Sequence, residues 1–526
     1  MTTPPETARA AVNPWIVAVV VAMATFMEVL DTTIANVALP YIAGGLAVSS
    51  DEASWVITTY LVANAVSLTA STYLAEAFGR KKFYMICVVL FTASSVMCGV
   101  AWDLNSLLIF RILQGLGGGG MVPLSQSTLA DSFPPEKRGQ AFSLFGLAIV
   151  VAPVVGPTLG GFLADNVGWE WCFLVNGPVG VLTLVLIWMV LPSRSRIEEQ
   201  RRLKGSPLRF DLIGFILVAT FLGSLEIVLD RGQEDDWFGS NFIIGFTALC
   251  AAALALMIPW LLTRKNPIID IRLLGRRQFA SSFIVMGIAG AILLATTQFL
   301  PLLVQGNFGY TATWAGLVLS PGGLVTAMMM IAVGRLLTFV QPKYLIAAGA
   351  LIVAAGMYDL TRIYANVDFA FFAWSRIIVG AGLPLIFIPV LTASYAGIPA
   401  DKTDQASAMM NAARNVGGSI GIAIGVNVLA HRAQFHQNRL VENVTPSGPD
   451  YRETLQKVID YFVAQGSELA QAKQQAVQWM GEQVQQQASL LAYIDVFWVL
   501  MLLALAAVPL ALILSSVKPG GAAVVE

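Results

Sequence analysis

Glu28-Val29-Leu30-Asp31-Thr32-Thr33-Ile34-Ala35-Asn36-Val37-Ala38-Leu39-Pro40 closes an apolar run that opens at Trp15. At about 1.5 Å per residue, that run is long enough to cross the roughly 30 Å hydrocarbon core of a bilayer. Two carboxylates therefore sit inside a membrane helix, three residues apart on one face. Each charge near the centre of such a helix costs on the order of 3 kcal/mol, so the pair needs a reason, and carrying protons is the working one. Thr25, Glu28, Asp31, Thr32, Ala35 and Asn36 read as a polar stripe among Val, Ile, Leu and Met. The alternative is that Glu28 only anchors the helix through hydrogen bonds.

Composition makes this helix one of many. Of 526 residues, 56% are hydrophobic and only 12% are charged, against roughly 25% charged in a soluble domain. The chain is a polytopic membrane protein. A net charge of −1 offers no footprint for nucleic acid. Cys87, Cys98, Cys172 and Cys250 fall in apolar stretches without metal-ligand or disulfide spacing, and read as small hydrophobes. The first run is a span rather than a signal peptide, because its basic flank is thin, Glu28 and Asp31 interrupt it, and further spans follow.

Apolar windows give fourteen candidate spans, at about 14–38, 53–75, 83–101, 105–130, 139–164, 171–192, 211–230, 241–262, 279–304, 313–337, 344–362, 369–396, 405–430 and 491–515. Basic residues cluster in the connections on the N-terminal side: Arg80, Lys81 and Lys82; Lys137 and Arg138; the run from Arg194 to Arg209; then Arg264, Lys265, Arg272, Arg276 and Arg277. The short loops opposite carry little beyond Arg231 and Arg362, which places both termini in the cytoplasm.

The chain also repeats. Under a shift of 265 residues, Arg111-Ile112 falls on Arg376-Ile377, Gly115 and Gly117 on Gly380 and Gly382, Pro134 on Pro399, Gln140-Ala141 on Gln405-Ala406, and Gly156 and Gly160 on Gly421 and Gly425. Spans 4 and 5 thus align with spans 12 and 13. A shift of eight spans implies an all-α membrane fold of two six-helix halves, 1–192 and 279–526, with two inserted spans and their linkers at 193–278. The second half includes a long loop, 431–490, on the non-cytoplasmic side, read as one or two amphipathic helices around Leu455, Val458 and Phe462; it serves either as a solvated loop or as a docking surface. His431 and His436, the only histidines, read as surface residues flanking it.

Polar groups in the spans mark the candidate site. Span 4 presents Arg111, Gln114, Gly115 and Gly118 on one face; its guanidinium suits a neighbouring carboxylate or an anion. Span 5 carries Pro153, Gly156, Pro157, Gly160 and Gly161, a kinked and closely packing helix. Span 13 aligns Ser407, Asn411, Arg414 and Asn415; Arg414 and Arg376 are candidate cavity charges, Arg376 equally a snorkelling residue. Glu226 and Asp495 read as interfacial, and Asp359 with Arg362 as an ion pair. No P-loop, metal-ligand cluster or nucleophile–base arrangement is visible, and the cytoplasmic loops are too short for an ATPase domain, so an ion gradient remains as the energy source and no cofactor is expected.

At these residues the chain resembles the EmrB/QacA branch of the major facilitator superfamily, the fourteen-span drug:proton antiporters. Leu30 to Pro40 resembles that branch's first-span signature, Arg111 to Gly117 the superfamily's fourth-span motif, and Gly156-Pro157 with Gly160-Gly161 the fifth-span antiporter motif. Asp230-Arg231-Gly232-Gln233 with Asp236-Trp237, Asn266-Pro267, and Tyr493 to Trp498 are similar to further stretches of the branch. The loop between spans 2 and 3 keeps its basic half in Gly79-Arg80-Lys81-Lys82, but has Thr72 for its first Gly and Ala77 for its first Arg; near span 6, Glu170 stands where relatives often have a basic residue.

The resemblance implies an inner-membrane exporter of hydrophobic drugs or amphiphiles working by proton exchange, with Asp31 and Arg111 as coupling residues; Glu28 is a further coupling candidate by its place on the first span. The polar positions in the spans make Thr32, Asn36, Gln114, Asn411, Arg414 and Arg376 the candidate substrate-cavity residues. For a double-membrane bacterium, the resemblance also implies a periplasmic adaptor with an outer-membrane channel as partners. The alternative is a proton-coupled importer of the same fold. A membrane sensor or enzyme is disfavoured, because no soluble output domain or catalytic constellation is present.

Overall fold

The computed structural model describes residues 13–191, 210–265, 267–399, 402–445 and 448–514. The basic run Arg194 to Arg209, Asn266, Pro446 and both chain ends lie outside the described residues. Within them the fold is all-α, and fourteen helical stretches are long and apolar enough to span a membrane.

Spans 1 to 3 are α1 (Pro14–Gly45), α2 (Ser50–Phe78) and α3 (Arg80–Cys98). Span 4 is α4 (Leu104–Gly118) and α5 (Met121–Ser132), span 5 is α6 (Pro135–Asn166), and span 6 ends in α7 (Asn176–Val190). The inserted pair is α8 (Leu212–Arg231) and α9 (Asn241–Thr263). Spans 9 to 13 are α10 (Arg277–Phe308), α11 (Ala312–Leu336), α12 (Pro342–Leu360), α13 (Phe369–Ser394) and α14 (Thr403–Asn443). After α15 (Pro449–Ala464), the last span is α16 (Leu469–Ile513).

The starts of these helices follow from local chemistry. Asn13 accepts the Trp15 amide ahead of Pro14 at the first helical position. Ser49 with Glu52, and Asp103 with Ser106, close reciprocal caps on α2 and α4. Gly79, at φ +86°, makes the turn from α2 to α3 in backbone space that side-chain-bearing residues avoid.

The sequence repeat is a repeat of packing. A Cβ on Gly115 would lie 2.5 Å from the Tyr60 carbonyl of α2, and one on Gly380 would lie 2.3 Å from the Gly322 carbonyl of α11. Gly117 likewise abuts Phe91 of α3, and Gly382 abuts Val353 of α12. Gly156 and Gly160 press on Thr33 and Ile34 of α1, while Gly421 and Gly425 press on Ala291 and Phe299 of α10. In lipid, where no hydrophobic force drives helices together, such close backbone approach is the main source of cohesion. Each glycine pair performs the same task against the corresponding neighbour.

Helices α1 to α7 form one packed group and α10 to α14 with α16 the other. Along one seam, α6 packs on α11 over its whole length, from Gly139 against Leu337 to Thr158 against Gly316. At the face where α1 begins, here termed the terminal face, three contacts close the groups together. Arg80 bridges Asp131 of α5 and Asp404 of α14, Asn411 donates to Gln126 at 2.7 Å, and the rings of Phe142 and Tyr395 stack. Across the other seam lies the inserted pair, with α8 against both α2 and α14.

The 431–490 stretch is less separate than the sequence implies. α14 and α16 have 41 and 45 residues, roughly 60 to 70 Å of helix, so both continue past the bilayer, and among the described residues α15 is the only independent helix between them. Ile459, Ala472 and Ala476 form its small core with Leu455, Val458 and Phe462. At its base, Arg432 and His436 both bond Asp495, at 2.5 and 2.8 Å; His436 is thus tied into the fold, while His431 is exposed. The expected Asp359–Arg362 pair does not form, because Asp359 accepts instead from the Ser375 hydroxyl on α13.

Candidate functional site

Asp31 lies in a closed polar nest inside the first group. Its side chain and that of Arg111 are both fully removed from solvent, and they meet at 2.7 Å. Asp31 Oδ1 also accepts from Gln114 Nε2 at 2.8 Å and Asn176 Nδ2 at 2.7 Å. Arg111 in turn donates to Gln114 Oε1 at 2.8 Å and to the Val56 carbonyl at 3.0 Å, and its guanidinium carbon sits 4.2 Å from the centre of the Tyr60 ring. A buried ion pair is tolerable only when its remaining lone pairs and protons are satisfied, and four helices, α1, α2, α4 and α7, supply those partners. One guanidinium nitrogen, Nη2, has aromatic faces rather than an acceptor.

Glu28, one turn earlier on α1, has a different environment. It is 7% exposed; Oε1 accepts from Asn64 Nδ2 at 3.1 Å, and Oε2 has no hydrogen-bond partner. From the other group, Arg414 lies within Coulombic range of it. Arg414 shares Asn415 through Nε and Nη2, at 3.3 and 3.1 Å, and its buried Nη1 is unpartnered. A carboxylate oxygen on α1 and a guanidinium nitrogen on α14 are thus buried without hydrogen-bond partners on either side of the junction between the groups. Thr32 lies beside them, half-buried, with its hydroxyl on the Glu28 carbonyl.

The glycine–proline motif of α6 backs this site. A Cβ at Gly156 would sit 2.1 Å from Thr33 Oγ1, and one at Gly160 would sit 3.3 Å from the Ile34 carbonyl; Pro157 and Gly161 are buried in the same helix. The motif therefore holds α6 against the turn of α1 that follows Asp31. Gly79 and Arg80 lie apart from it, at the terminal face, where Arg80 keeps its charge contacts although Thr72 and Ala77 break the loop pattern.

Several expected members fall elsewhere. Asn36 is exposed, some 140° around α1 from Asp31 and so outside the nest, but about 40° from Thr32 and on its side of the helix. Asn411 bonds Gln126 and closes the groups together. Arg376 is 3% exposed and so does not snorkel; its Nε and Nη1 have no partner, since Thr296 stands where the repeat would place an equivalent of Asp31. Glu226 is not interfacial but 3% exposed against α14. Asn64, Asn176 and Ser95, which bonds Asn176 at 3.0 Å, were not singled out by the sequence. Their one signal is a lone polar side chain in an apolar span.

The helix number, the paired packing and the buried acid–arginine nest define a membrane transporter, and the family model of the Major Facilitator Superfamily matches residues 21–422. The chain belongs to that superfamily. Among curated relatives it is 35% identical to Multidrug export protein EmrB of Escherichia coli (strain K12) over 92% of each chain. It is 36% identical to Fatty acid resistance protein FarB of Neisseria gonorrhoeae, over 85% of this chain and 87% of that one. Among solved structures, the proton:xylose symporter XylE shares the fold at a TM-score of 0.57 and 16% identity, covering 78% of this chain and 87% of its own.

Proposed function

We propose that this transporter exports hydrophobic or amphiphilic small molecules, drugs among them, in exchange for protons. The observation that carries the reading is the contrast between two acids on one turn of α1. Asp31 is saturated by Arg111, Gln114 and Asn176, whereas Glu28 keeps one oxygen without a hydrogen-bond partner on the side of Arg414 of the other group. A proton on Glu28 removes the charge that Arg414 faces, and an entering substrate competes at the same junction. When the groups rock, the strain on α1 reaches Asp31 through the adjoining turn, so that both acids take part in coupling. Arg111 stays charged throughout and stabilises Asp31 whenever it is ionised.

The names of the relatives support export, and the gradient of protons supplies the energy without a cofactor. The basic residues at the terminal face support a cytoplasmic position for it, in the inner membrane of a bacterium. The projection built from α14, α15 and α16 then lies outside, where a periplasmic adaptor leading to an outer-membrane channel would meet it.

Proteoliposomes with an imposed pH gradient test this with a lipophilic cation such as ethidium as probe. The wild type should move the probe against the direction of proton flow; movement of both together would make the protein an importer of the same fold. Asp31→Asn should insert and fold yet lose gradient-driven transport, and Glu28→Gln should lose coupling while still binding the probe. Retained transport in Asp31→Asn would reduce that residue to a structural role.

A further inference from the structure

The inserted hairpin buries an acid that the transport site does not use. Glu226 lies in the last third of α8, 3% exposed, and accepts a hydrogen bond from Ser419 Oγ of α14 at 2.7 Å. No cation pairs with it among the described residues. The charged groups around it are few. On its own helix the next acid is Asp230, whose carboxylate accepts from Thr58 of α2, and beyond it Arg231 is held by Ser54, Glu234 and Asp235. α9 has no charged residue between Asn241 and Thr263. On α2, Asp51 and Glu52 lie in the first turn and Glu76 in the last. On α14, Arg414 is engaged by Asn415 and faces Glu28. A carboxylate out of water with no cation and one hydroxyl donor is far more easily kept as the neutral acid.

The position of Glu226 gives that proton a use. α8 is attached to both groups: to α2 through Thr58 and Ser54, and to α14 through Ser419 and, at 3.4 Å, Asn427 to Gln233. An apolar layer of Ala65, Val218, Leu222, Met257 and Leu261, with Val416, fills the space between. The packing of α8 is broader on α2 than on α14, so the hairpin belongs mechanically to the first group.

We propose that Glu226 is a second proton-binding site, and that the proton it holds fastens the inserted hairpin to α14. A rocking of the groups that draws α14 away from α2 parts Glu226 from Ser419 and admits water. The carboxyl O–H bond then breaks, its electron pair stays on the oxygen, and the proton passes to water. Closure of the seam requires a proton to return. The proposal rests on the rocking motion of the reading above and is independent of coupling at Asp31.

Infrared difference spectra of the full chain in nanodiscs, recorded across a pH titration, test it without any transported substrate. The wild type should show a carboxylic acid C=O stretching band that titrates; Glu226→Gln should lose it, and Asp31→Asn should keep it. Ser419→Ala, which retains the acid and removes its donor, should shift the band to higher frequency. Superimposable wild-type and Glu226→Gln spectra, or a band unmoved in Ser419→Ala, would overturn the proposal. The antiport reading fails separately, on the direction of probe movement in proteoliposomes.

Discussion

Arg111 and Arg376 occupy equivalent places in the repeat, yet only the first has an acid beside it. Because the Asp31 and Arg111 side chains are fully buried, removing one partner should be harsher than removing both. Arg111→Ala leaves an uncompensated buried carboxylate and should lower stability by about 3–5 kcal/mol. The double variant Asp31→Asn, Arg111→Gln should recover much of that loss, as measured by thermal unfolding in detergent. Equal losses in single and double variants would mean that the pair is not coupled. Arg111→Lys should behave nearly as badly as Arg111→Ala, since one ammonium cannot reach Asp31, Gln114 and the Val56 carbonyl together. Asp31, Arg111 and Gln114 were legible in the sequence because charge or polarity in a span is rare. Asn64 and Asn176 were not, because a single amide in an apolar run looks the same whether it completes a site or bonds its own backbone.

At the scale of elements, the helix pairs are set by glycines whose absent side chains define the spacing. Gly156→Ala would place a methyl group 2.1 Å from the Thr33 hydroxyl, so α6 must retreat from α1 at a cost of about 1–3 kcal/mol. Combining it with Thr33→Gly, which empties the opposing position, should restore thermal stability and most transport; an additive loss would place the strain elsewhere. The span count and the repeat were readable from apolar windows and from glycine positions at a constant shift, since both are properties of one dimension. The five-residue step from Asp31 to Asn36 carries Asn36 out of the nest and onto the side of Thr32, because angular position on a helix does not follow proximity in sequence. The burial of Glu226 was out of reach for another reason: its position near the end of α8 matters less than the fact that α14 covers it.

The whole molecule is closed at its terminal face by Arg80 between Asp131 and Asp404, by Gln126 with Asn411, and by Phe142 on Tyr395. Asp404→Asn removes one side of the charged clasp while sparing the fold of either group. It should shift the population towards opening at that face, seen as several-fold faster maleimide labelling of a cysteine placed at the buried Ser127 in a background lacking the native four. Unchanged labelling would show that the Gln126–Asn411 and Phe142–Tyr395 contacts hold the face shut without the charged clasp. The two long helices lead to a different consequence. α14 carries Arg414 and Ser419 within the bilayer, and the same unbroken rod continues outward to Asn443, braced at its base where Arg432 and His436 grip Asp495 of α16. A stiff rod pivoting in the membrane acts as a lever, so a tilt too small to notice at the level of Glu28 sweeps the far tip through a larger arc. Any partner seated on that tip would feel each transport stroke as a mechanical displacement, with no chemical messenger between them.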